Sequence, residues 1–420
     1  MNLFKRIDIL YIITLLFLLL ASNANFLDAN IYWIPIEVFM FVVAIARRSL
    51  GFKDVKVIGV FAICYLLFVG VRDIFINNLE VDYLLSDVFF LLKYVFLSFI
   101  FCVILKEKVA TYLVKVAIPL IIISLIFFVF QLLGFGHNIY LLSEALHLPS
   151  QGVASDEYAN FLFYTYVGIH EFRNSGFFWE PGVFACFLII VLLLNLFLNK
   201  FKFDTNSKII IIGLISTVST TGYLALLLVF FLWYRYKVPQ IKMGVLVVIG
   251  LSIVLIFTIP FLGDKITGVF KEDMEQLQPK KLTDAQRYLS HAQDKQIHVN
   301  RFASMILIYN TFGEDLILGV SNDYDVILNK TYSVNTSNGI FDFMAKFGLV
   351  GYLFVLYRYS RFCMAYLGRA ELLIYSIIAF LIICTGEPIV HLGFVLMFLF
   401  IPLAQQSGTT INRSGLNRVK

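Results

Sequence analysis

Apolar runs long enough to cross a bilayer recur along nearly the whole of this 420-residue chain, and only two long polar stretches interrupt them. Runs such as 112–133 and 183–198 approach the ~20 residues that cover ~30 Å of hydrocarbon. Inside a bilayer every backbone N–H and C=O needs an internal partner, so such runs fold as helices. Hydrophobic residues make up 60% of the chain and charged ones only 15%, with 44 Phe and 22 Tyr. That composition excludes a soluble globular domain. The expected class is an all-α polytopic integral membrane protein, folded as one membrane domain over 1–420. The polar stretches, 156–181 and 263–339, mark loops spanning 134–182 and 263–340.

Charge fixes an orientation. The net charge of +5 is modest, and the basic residues sit in short clusters between apolar runs. This is the positive-inside pattern of a membrane protein rather than a nucleic-acid patch. The five cysteines, Cys64, Cys102, Cys186, Cys363 and Cys384, fall inside expected spans or, for Cys363, just past the end of one. Neither a disulfide framework nor metal-ligand spacing is visible among them. Lys5-Arg6, an apolar stretch and Ser22-Asn23-Ala24 resemble a signal peptide, but in a polytopic chain the segment reads as a retained first span.

Spans are expected near 8–26, 31–46, 57–71, 84–105, 110–133, 183–199, 243–262, 341–357, 371–386 and 389–404. Ile209–Tyr234 has the length of one span, yet Lys200, Lys202 and Lys208 precede it and Arg235, Lys237 and Lys242 follow it. Basic clusters on both sides place both ends in the cytoplasm. The chain therefore goes in and returns, turning at the hydroxyl-rich Ser216–Gly222, with arms of ~12 residues rising ~18 Å each. The total is about twelve membrane segments, with both termini cytoplasmic and both polar loops outside. The larger loop is expected to be partly helical, over Lys265–Leu289 and Phe302–Leu318, the latter lying on the bundle as an amphipathic helix.

Candidate chemistry concentrates in the loops. Arg173 and Arg301 keep their charge at any working pH and suit paired N–H contacts to phosphate; ion pairs with neighbouring carboxylates are the structural alternative. Arg287 is a weaker candidate in a charge-rich segment. Glu180, before Pro181-Gly182, is either a helix cap or a general base, with His170 and His298 as rivals. Tyr332, Asn335 and Asn338 offer neutral groups of the kind that line sugar sites, although Asn338-Gly339 also reads as a turn. Asp323-Tyr324-Asp325 has the form of a metal-binding Asp-x-Asp, but no nucleotide-binding fold surrounds it, and no metal or other cofactor is expected. Lys93 sits deep in its span, where an ionisable group is a functional candidate by default.

These pieces in order resemble the O-antigen polymerase and ligase superfamily: Arg173–Gly182, Ser219-Thr220-Thr221-Gly222-Tyr223, Arg301 followed by Leu318-Gly319, and Ser337-Asn338-Gly339 leading to Phe347–Gly351. The resemblance covers roughly 170–355. It implies a GT-C-like, inverting, metal-independent glycosyltransferase of the bacterial inner membrane. The substrate implied is an undecaprenyl-pyrophosphate-linked repeat unit at the periplasmic face, with membrane lipid and a chain-length regulator as further partners. Arg173 and Arg301 would hold pyrophosphate or glycan. Ser337-Asn338 stands where ligases of this group show His-Asn, which favours a polymerase over a ligase. A polysaccharide or lipid transporter is the alternative from another class; it calls for pseudo-symmetry and midplane ionisable groups, of which Lys93 is the one good candidate.

Overall fold

The computed structural model describes residues 8–77, 80–146, 157–238, 297–332 and 334–401, apart from the side chains of residues 28, 297, 298, 330–332 and 335. The described residues are mostly helical. The first half runs through α1 (Ile9–Ala21), α2 (Asn30–Ala46), α3 (Phe52–Phe75), α4 (Val81–Phe90), a π-helical turn at Leu91–Phe96, α5 (Leu97–Leu105) and α6 (Val109–Phe130). After a second π-helical turn come α7 (Gly136–Ala145), α8 (Pro181–Leu198), α9 (Thr205–Ser216) and α10 (Thr220–Lys237). The second half holds α11 (Arg301–Phe312), α12 (Tyr324–Tyr332), α13 (Gly339–Leu367), α14 (Ala370–Gly386) and the short α15 (Gly393–Leu396). Four helical stretches among these residues are long and apolar enough to cross a membrane, and α1, α2, α9 and α14 are shorter apolar helices.

Local sequence sets the helix ends. Asp8, Asp204 and Ser219 accept backbone N–H bonds at the starts of α1, α9 and α10, each satisfying one of the donors a helix leaves open. Val218 adopts a positive φ of 47° between α9 and α10, so the single long apolar run folds as two helices. The return arm is longer than expected: α10 has 18 residues, ~27 Å of rise. Basic Arg235 and Lys237 in its last turn suit the negative helix end and carry it past the apolar run.

α8 lies at the centre, buried along nearly its whole length, whereas α3 leaves Val60, Ile63 and Leu67 exposed. Exposed apolar faces of that kind suit lipid contact, and α8 is sheathed by protein instead. The expected last span over 389–404 does not form as one helix. Its described part is α15 and a 3-10 turn at Met397–Leu399, both buried. An apolar run of buried residues cannot be told from a span by hydropathy alone. The expected span at 243–262 and the charged helix at 265–289 lie outside the described residues. The amphipathic helix anticipated over 302–318 is present as α11 plus a 3-10 turn to Ile317. The all-α expectation needs one amendment: β1 (Tyr158–Asn160) pairs antiparallel with β2 (Thr165–Val167), and β3 (Ile297–Val299) pairs parallel with β4 (Val334–Thr336).

Basic residues collect at one end of the bundle, around Arg47-Arg48, Lys106-Glu107-Lys108, Lys200, Arg235 and Arg369. There Arg235 pairs with Glu371 at 3.1 Å. The other end gathers the polar connections. Tyr158 donates to the Ala24 carbonyl at 2.8 Å, Asn77 to that of Val320 at 2.7 Å, and the Asn174 N–H to that of Ser216 at 2.9 Å.

Candidate functional site

The segment 170–176 is pinned from below by two elements. Gln131, in the second π-helical turn, donates to the carbonyls of His170 (3.2 Å) and Glu171 (2.6 Å), and its own carbonyl accepts from Tyr164. The α9–α10 turn supplies the rest: Asn174 Nδ2 donates to Ser216 Oγ at 3.0 Å, and Arg173 Nε donates to the Thr217 carbonyl at 3.2 Å. The hydroxyl-rich turn therefore positions an arginine.

Arg301 opens α11 and reaches the loop after α14. Its Nε donates to the Gly386 carbonyl at 2.7 Å, and its Nη2 meets Glu387 Oε1 at 2.8 Å. The Arg301 side chain is 39% exposed and the Glu387 side chain 4%, so the pair is open on the arginine side. Arg173 lies close enough to feel Glu180, Glu387, Arg301 and Tyr223. Burial lowers its pKa, with Arg301 adding to the shift and the two carboxylates opposing it. A guanidinium starts so high that it stays charged regardless. Three residues singled out from sequence, Arg173, Arg301 and Glu180, thus converge on one cluster of two arginines and two glutamates.

Glu180 occupies the N-cap position of α8, yet its side chain makes no capping hydrogen bond. Pro181 at the first helical position needs no N–H partner there. Glu387, the fourth member, was missed. The available signal was a second Glu-Pro pair, Glu387-Pro388, echoing Glu180-Pro181. Burial raises the Glu387 pKa to about 8; Glu180 adds to the shift, and Arg301 and Arg173 oppose it.

Glycines make room for this arrangement. A Cβ on Gly182 would run into the Glu387 carboxylate, and one on Gly339 into the backbone carbonyls of Glu387 and Cys384. The first turns of α8 and α13 therefore close around Glu387. Further out, Gly319 and Gly348, with φ of 79° and 72°, pack backbone to backbone where α13 kinks. Any side chain there would separate them, and the positive φ itself favours glycine.

The remaining candidates fall elsewhere. Asn338 is 2% exposed and caps α13, its Oδ1 accepting from Phe341 N–H (3.1 Å) and its Nδ2 donating to the Arg301 carbonyl (3.2 Å). Through that carbonyl it ties the start of α13 to the start of α11. Ser337 is bound into the backbone, its Oγ donating to the Val299 carbonyl at 2.9 Å. Lys93 is apart from the arginines, lining a cavity with Trp33, Tyr94 and Asp323. Arg287 and the side chains of Tyr332 and Asn335 lie outside the described residues. His391, also missed, stands 3.6 Å from Asp342 and edge-on to Tyr94.

Residues 206–356 match the family model for O-antigen ligase. That domain is shared by O-antigen ligases and polymerases, glycosyl-transferring proteins of surface polysaccharide assembly that act on lipid-linked glycans. The matched stretch contains the α9–α10 turn, Arg301, Gly319, Asn338-Gly339 and the α13 kink. It omits Arg173, Glu180 and Glu387, which the fold brings to it. The apolar helices together with this match mark a multi-pass membrane protein. No curated protein and no solved structure matches the chain.

Proposed function

We propose that the protein is an O-antigen polymerase, an inverting and metal-independent glycosyltransferase joining undecaprenyl-pyrophosphate-linked repeat units at the periplasmic face of the inner membrane. One observation carries the reading. Arg173 and Arg301, from opposite halves of the chain, share a half-open cluster at the end of the bundle away from the basic loops. The positive-inside rule puts those basic loops in the cytoplasm, so the cluster faces the compartment where lipid-linked repeats are joined.

Pyrophosphate is a good leaving group, so the protein's task is to place two long substrates and balance the charge that develops as the anomeric C–O bond breaks. One guanidinium–phosphate contact at ~4 Å and an effective dielectric near 20 is worth roughly 4 kcal/mol before desolvation. Glu387 holds Arg301 until phosphate takes its place. The acceptor hydroxyl attacks the anomeric carbon from the face opposite the pyrophosphate and loses its proton to Glu180, the carboxylate that no cap hydrogen bond engages.

The ligase reading has one observation in its favour, the description of the matched family. Against it, the position at which ligases of this group show a histidine is Ser337, bound to the Val299 carbonyl. Surface polysaccharide from a strain lacking the protein separates the two. A polymerase predicts loss of the ladder with a single repeat still attached; a ligase or transporter predicts loss of all attached repeats.

A further inference from the structure

A second cavity, of about 470 Å³, opens between the start of α2, α4 with its π-helical turn, and the loop before α12. Its lining combines the half-buried Tyr94 and the largely buried Trp33 with Ser86, Lys93, Asn322 and Asp323. Aromatic side chains and a few polar groups in a concave site of this size suit a small ring-shaped, hydroxylated ligand. The polar groups are themselves held. Asn322 Nδ2 donates to Ser86 Oγ at 2.9 Å, and Trp33 Nε1 donates to Asn30 Oδ1 at 2.7 Å, fixing the indole. The Asn322 N–H donates to Asp87 Oδ1 at 3.3 Å, tying the loop to α4.

A short chain path links the cavity to the arginine cluster. Tyr94 meets His391 edge to face, with ring centroids 6.1 Å apart. His391 and Glu387 belong to the same short loop, with four peptide units between them, at most ~14 Å of chain. An extended saccharide of two or three rings bridges that distance. Resting on the polymerase reading, we infer that this cavity is the acceptor subsite, where the terminal sugar rings of the incoming repeat unit stack on Trp33 and Tyr94. Asp323 and Asn322 would take hydrogen bonds from ring hydroxyls. The π-helical turn at Leu91–Phe96 carries both Lys93 and Tyr94, and such bulges recur where a helix must re-aim side chains at a ligand.

The test uses full-length protein in nanodiscs and, as probe, the lipid-free repeat-unit oligosaccharide released by mild acid from the lipid-linked repeat unit, whose glycosyl–phosphate bond is acid-labile. Saturation-transfer NMR should show contact with sugar ring protons. Asp323→Asn should weaken binding about tenfold, the scale of one lost hydrogen bond to a charged acceptor. Trp33→Phe, which keeps an aromatic face, should weaken it less than Trp33→Ala. Binding by the wild type that Asp323→Asn leaves unchanged, or no binding at all, overturns the subsite. In single-turnover elongation of a labelled donor chain, the free oligosaccharide should compete with the acceptor; competition with the donor instead overturns the assignment. Sugar binding by a protein that elongates nothing would refute the polymerase reading and leave the subsite standing. Elongation without sugar binding would do the reverse.

Discussion

Two clusters in this protein hold arginine between carboxylates, and they are built to opposite ends. Around Arg72 everything is closed. Arg72 and Asp87 have 0% exposed side chains and pair directly, Asp73 accepts from Nε at 3.2 Å, and the Lys346 carbonyl accepts from Nη1 at 2.8 Å. The group ties α3 and α4 to α13, and Asn77 extends it to the Val320 carbonyl. Around Arg301 the pairing is one-sided, with the arginine side chain 39% exposed beside a buried glutamate and a second arginine within electrostatic reach. A buried arginine with four hydrogen bonds to three neighbouring residues holds helices together. A half-open one beside another cation is arranged for an anion that arrives.

The sharpest way to break that contrast is to remove each arginine. Arg72→Ala leaves Asp87 and Asp73 buried without their cation, a change worth about 3–5 kcal/mol, enough to remove a marginally stable fold. Size-exclusion profiles of detergent extracts should show that variant lost or aggregated. Arg301→Ala and Arg173→Ala should give normal profiles with long chains abolished. Next in size, Gly182→Ala pushes a methyl group into the Glu387 carboxylate and should shorten the ladder several-fold, read on gels of surface polysaccharide. Gly59→Ala, with open space around it, is the control that should change nothing. Arg301→Lys keeps the charge but loses the planar fork, so modal chain length should recover only part of the way.

The smallest expected effect is on pH. Glu387 has its pKa raised by burial to about 8 from 4.5, so the folded protein holds a proton that the unfolded chain releases earlier. That contribution is present at low pH and is lost as pH rises through this window. Thermal melts from pH 5 to 9 should show the wild type losing stability faster than Glu387→Gln; equal slopes would contradict the assigned shift.

Much of this architecture was legible in advance because a bilayer leaves few options. Runs of apolar residues gave α1 to α6, α8 and α14 to within about five residues, and the start of α13, whose end at Leu367 lies ten residues past the expected 357. Basic clusters on both sides of 209–234 exposed the α9–α10 return. Arg173, Glu180 and Arg301 stood out as charges beside aromatic or glycine-rich motifs. Glu387 did not, because it separates two apolar runs and reads as a break between spans. Its partner is 86 residues away, and no periodicity encodes such a distance. The Arg72–Asp87 pair was hidden for the same reason: the two residues lie 15 positions apart on different helices. Asn338 was legible as a residue type suited to sugars, but its use as a cap bonded to the Arg301 carbonyl depends on α11 lying beside α13.

The most direct test is elongation by the purified protein in proteoliposomes supplied with lipid-linked repeat units. Wild-type protein should build a ladder of products, and Arg173→Ala and Arg301→Ala, purified in equal folded amount, should leave the units unjoined. Normal ladders from both variants, or no ladder from well-folded wild type, would contradict the account.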